Sequence, residues 1–147
     1  MRTGYAAMPE VPIAQGHQVE IIDRLIVSAA ASAEGYRSAA SETSDPALRL
    51  RLTDRAEESE DLLLELETRI RELGGEPAAV EIRPPAAPRP GRRYSLTLAE
   101  LARREDDTVQ RFERALASTG LDAATRAALS SGVRVLRDRP AAEAMAG

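Results

Sequence analysis

Cysteine is absent from the 147 residues, which excludes disulfides and thiolate metal sites. Lysine and asparagine are absent as well, and all 20 basic residues are arginine, a pattern we read as the coding bias of a GC-rich genome. Tryptophan is missing, phenylalanine occurs once, and aromatic residues make up 3% of the chain. The core must therefore be built from Leu, Ile, Val and Ala, and such a core is thin in apolar area per residue. Pairing with a second copy would thicken it, so a homodimer is expected. No apolar run approaches the ~20 residues of a membrane span, and the N-terminus has no signal-peptide pattern. No membrane association and a cytoplasmic location are the expectations. The net charge of −4 argues against a general nucleic-acid binder. Nor is there a Gly-rich phosphate loop, a Ser-His-Asp set or a nucleophile beside a base, so nothing points to a hydrolase or a nucleotide-binding enzyme.

What the chain does contain is helical periodicity. Val19, Ile22, Ile26, Ala29, Ala33, Tyr36 and Ala40 alternate steps of three and four, which keeps one stripe facing a partner helix. Leu48, Leu52, Ala56, Ser59, Leu63, Leu66, Ile70 and Leu73 form a second row. A third reads Leu98, Ala102, Glu105, Val109, Phe112 and Leu116, with a glutamate in register with apolar residues. Punctuation between the rows defines helices over about 18–43, 46–73, 95–118 and 122–138. Asp45 is placed to cap the second helix, with Pro46 at its first position, and Gly74-Gly75 to stop it. Ser95 or Thr97 begins the third helix, and Asp122 caps the fourth.

Residues 1–16 carry Pro and Gly without periodicity and read as a flexible arm, as 140–147 read as a flexible tail, leaving one helical domain over 17–139. The short turn at Ser44-Asp45-Pro46 forces an antiparallel hairpin. Residues 74–94 hold five prolines and cannot be helix interior. At about 3.1 Å per residue this crossover reaches roughly 60 Å, against roughly 42 Å for the second helix, long enough to return along the bundle. Two antiparallel hairpins joined by one long crossover make a ferritin-like four-helix bundle, the all-α fold expected here.

That fold holds a dimetal centre when two helices each give a Glu and two each give a Glu-x-x-His pair. Glu34 lies before the first turn at a depth matched by Glu57 and Glu58 after it. Glu58-x-x-Asp61 has the required spacing with Asp in place of His, and Glu105 lies on the third row. The candidate metal ligands are therefore Glu34, Glu58, Asp61 and Glu105. Residues 123–137 contain no Asp, Glu or His. The single histidine, His17, lies roughly 25 Å along the helix from Glu34 and belongs to the other end of the bundle.

Several segments carry a resemblance: Ala33-Glu34-Gly35-Tyr36-Arg37-Ser38-Ala39-Ala40, Asp45-Pro46-Ala47-Leu48, Leu73-Gly74-Gly75-Glu76-Pro77, Leu98-Ala99-Glu100, Arg103-Arg104-Glu105-Asp106 and Phe112-Glu113-Arg114-Ala115-Leu116. Over about residues 18–138 the chain resembles an uncharacterised bacterial family, a domain of unknown function, whose ferritin-like bundles are similar in architecture to rubrerythrins and ferritins. The resemblance implies that Glu34, Glu58 and Glu105 sit where metal-ligand glutamates would sit. The chain departs from the family at Asp61 and on the fourth helix, where histidines are expected.

Two functions from different classes follow. The first is a degenerate, non-catalytic bundle acting as a structural or interaction protein, with no cofactor. There an arginine, Arg55 or Arg104, neutralises the carboxylates and a guanidinium takes the charge position of a metal. The second is a carboxylate-rich iron or manganese protein with oxidase or storage activity. Arg83, Arg89, Arg92 and Arg93 make the crossover basic, so a protein partner could dock on it; the simpler reading is a stiff, soluble linker.

Overall fold

The computed structural model describes residues 13–77 and 97–138. The arm before residue 13, the crossover over 78–96 and the tail after 138 lie outside the described residues. Four helices follow in order: α1 (Ile13–Glu42), α2 (Pro46–Glu72), α3 (Leu98–Leu116) and α4 (Ala123–Arg137). Among the described residues there is no strand. The protein is an all-α four-helix bundle.

Each boundary has a local cause. Asp45 Oδ1 accepts from the Ala47 and Leu48 amides at 3.0 and 3.4 Å, with Pro46 in the first helical position. Arg49 reaches back to the end of α1, donating to the Ala40 carbonyl in its last turn and to the Thr43 carbonyl just beyond it. α2 ends in a Schellman turn: Gly74 has φ 86°, its amide donates to Arg71, and the Gly75 amide donates to Ile70. Thr97 caps α3 by accepting from the Glu100 amide at 3.1 Å. Asp122 caps α4 by accepting from the Thr125 amide at 2.7 Å.

α1 starts at Ile13, more than a turn ahead of the expected Gln18. Gly16 falls inside it. A glycine costs about 1 kcal/mol in a helix interior, too little to stop a helix that propagates from 26 further residues. The other ends shift by less than one turn.

The large apolar core joins all four helices through Ile22, Leu25, Ile26, Leu62, Leu66, Ile70, Phe112, Leu129 and Leu136. A smaller cluster, Tyr36, Ala40, Leu52, Ala56 and Leu101, draws on α1, α2 and α3 alone. α4 has 15 residues against 27 in α2, and Leu62 and Arg69 of α2, in the half nearer the large core, reach it. The contacts also order the ends. Val19 of α1 lies against Gly75, and Arg37 of α1 pairs with Glu60 of α2. Thr97 and Leu98, where α3 begins, share a cleft with Ala39, Thr43 and Leu48. Farther along α3, Arg114 and Ala115 share another with Ile21 and Leu25.

Candidate functional site

Glu105 is buried on α3, with 7% of its surface exposed, and a carboxylate in such a place needs an opposite charge. Arg55 of α2, 3% exposed, supplies it: Nη1 donates to Glu105 Oε2 at 2.8 Å. The same nitrogen donates to the Tyr36 hydroxyl of α1 at 3.3 Å, and the guanidinium carbon stands 5.7 Å from the Tyr36 ring centroid. That distance is within cation–π range. One guanidinium thus ties three helices at one level, beside the smaller apolar cluster. Ser59, one turn along α2 from Arg55, is 1% exposed, and its Oγ makes no hydrogen bond among the described residues.

The other sequence candidates are not gathered around Glu105. Glu34, Glu58 and Asp61 are exposed, as are Glu57, Arg104 and His17. The reason is angular. Successive helix residues turn by 100°, so Tyr36 faces the core while Glu34, two positions earlier, faces out; Ser59 is buried beside exposed Glu58. Among the described residues no three His, Asp or Glu side chains group as a cation site. Of the two arginines named from sequence, Arg55 takes the buried pairing. Glu105 also borders a cavity of about 390 Å³ between α3 and α4, whose wall includes Asp106, Gln110, Glu113 and Arg137. Glu113 and Arg137 form an ion pair across its rim.

A second polar cluster, not anticipated from sequence, closes the far end. Arg69 of α2 donates to Thr125 Oγ1 at 2.9 Å and to both Asp122 oxygens, at 3.1 and 2.9 Å. Gln18 of α1, 3% exposed, accepts from the Asp122 amide at 2.9 Å. Hydrogen bonding from the Thr125 amide, with help from Arg69, holds the Asp122 carboxyl below the usual aspartate range. Asp122 was legible as a cap; a Thr three residues on and a lone Gln on the α1 face were the only other signals.

Chemically, the Arg55–Glu105–Tyr36 group offers fixed charge and a phenol but no nucleophile paired with a base. No protein-family model matches the chain, and no curated protein matches it.

Proposed function

We propose that the protein is a degenerate ferritin-like bundle, a non-catalytic structural or interaction protein in which Arg55 fills the place a metal would take beside Glu105. The observation that carries this reading is the buried pairing of Arg55 with Glu105 at 2.8 Å. The donor set does not fit a dimetal centre, since Glu34, Glu58 and Asp61 are exposed and Glu105 is engaged by a guanidinium. Ferritin-like connectivity is supported by the order of contacts. Positions on α2 fall as those on α1 rise, from Val19 with Gly75 to Arg37 with Glu60. α3 begins beside the α1–α2 turn and ends near the start of α1. Two antiparallel hairpins linked by a return crossover have this order. The protein is proposed to work as a dimer in the cytoplasm.

Metal content and thermal melting, with and without ferrous iron under anaerobic conditions, test the proposal. A metal-free protein whose melt is indifferent to iron, manganese and chelator is expected. Two metals per chain with a clear rise in melting temperature, lost in Glu34→Ala, would instead establish the carboxylate-rich iron or manganese protein.

A further inference from the structure

Away from the Arg55–Glu105 group and sharing no residue with it, a cavity of about 210 Å³ opens between α1 and α3. Its floor is apolar, formed by Ile21, Leu25 and Ala115, and its rim carries Arg24, Arg111, Arg114 and Ser118. Among the described residues no carboxylate lines it. None of the three arginines pairs with an acidic side chain among the described residues, whereas Arg37, Arg55, Arg69 and Arg137 pair with Glu60, Glu105, Asp122 and Glu113. In a chain with 24 acidic residues against 20 basic ones, three arginines gathered without an acid run against composition.

Helix capping does not account for them. Arg114, in the last turn of α3, offsets the helix dipole there, but that dipole amounts to about half a unit charge. Arg111 lies a turn earlier, and Arg24 is on another helix. Three guanidinium groups present planar forks suited to phosphate oxygens, and their combined charge matches a dianion better than a single carboxylate. The cavity is smaller than the roughly 300–1,000 Å³ that hold drug-sized ligands, and among the described residues no aromatic side chain lines it for a base or ring to stack on.

We propose that the groove between α1 and α3 binds a small phosphate monoester, the phosphate held by Arg24, Arg111 and Arg114 and a short aliphatic body seated on Ile21, Leu25 and Ala115. The site does not depend on whether the bundle binds metal.

Calorimetric titration of the full chain with butyl phosphate, inorganic phosphate and butanol tests it. Saturable 1:1 binding of butyl phosphate is expected, about tenfold tighter than inorganic phosphate because part of the alkyl chain leaves water, with no heat from butanol. The double variant Arg111→Gln/Arg114→Gln is expected to weaken binding at least tenfold while melting within a few degrees of the parent, since both side chains are exposed and only the small dipole contribution of Arg114 is lost. Equal affinity for phosphate and butyl phosphate would overturn the apolar half of the site, and an unaffected double variant would overturn the location. Binding confined to anionic vesicles, or to a Glu/Leu peptide with butyl phosphate inert, would overturn the small-ligand assignment in favour of a surface or a polypeptide.

Discussion

Arg55 and Glu105 define what single substitutions should do. Arg55→Leu removes the guanidinium from a carboxylate that is 7% exposed, and breaking a buried pair from one side costs about 3–5 kcal/mol. Replacing both, as Arg55→Met with Glu105→Leu, leaves no buried charge and is expected to be near neutral or stabilising. Urea denaturation of the two variants checks this, and a single variant as stable as the parent would mean the pair anchors nothing. The glutamate was legible because it interrupts an apolar row; its partner was not, since Arg104 is its neighbour in sequence and Arg55 lies 50 positions away, and only the folded bundle brings the buried Arg55 side chain to it. Asp122 gives the pH prediction. Its folded carboxyl titrates below the unfolded value of about 3.9, so its contribution is fully present above that value and is lost as pH falls through the lower folded one. Thermal melts from pH 6 to pH 2 should show the gap between the parent and Asp122→Asn closing in the most acidic samples. A gap that stays constant would remove the charge from the argument.

Elements explain which parts of the core could be read in advance. The α1 row from Ile22 to Ala40 is buried at every expected position, with Val19 half-buried at its edge. α3 is different: its buried row is Leu101, Glu105, Thr108, Phe112 and Ala115, while Leu98, Ala102, Val109 and Leu116 are half-buried. α3 packs on both α1 and α4, so its buried arc is centred between two rows, and counting large apolar residues picks the flanks. α4 buries Thr125, Leu129, Gly132 and Leu136, two of which carry no apolar signal. Gly132 shows why. A Cβ there would stand 2.7 Å from Phe112 Cε2 and 3.1 Å from Leu62 Cδ1. Gly132→Ala gains about 1 kcal/mol of helix propensity but overpacks a buried ring, a penalty of about 1–3 kcal/mol. The clash should win, lowering the melting temperature by a few degrees, and a more stable variant would show that Phe112 can move aside. Gly74→Ala is expected to lose stability for another reason, because φ 86° is strained for any residue with a side chain.

At the scale of the whole molecule the crossover sets the constraint. α2 spans 27 residues, roughly 40 Å, and α3 begins beside the turn from which α2 departs. The chain between Pro77 and Thr97 must cover that distance, and about 20 residues at roughly 3.1 Å each reach some 60 Å, about half as much again as the span. Deleting four residues from the middle of this segment should leave the melt unchanged. Deleting ten leaves a reach of roughly 36 Å even at full extension, short of the span, and α1 and α2 can then meet an α3–α4 pair only from a second copy. The expected product is a domain-swapped dimer with a concentration-dependent melt, seen by light scattering after size exclusion. A monomer with the parent melting temperature would mean that α3 does not start at the far end of α2, and with it the return connectivity would go. Fold class was legible from periodicity and turn chemistry alone, but the direction of α3 was only as legible as this length argument, which permits the return path without requiring it.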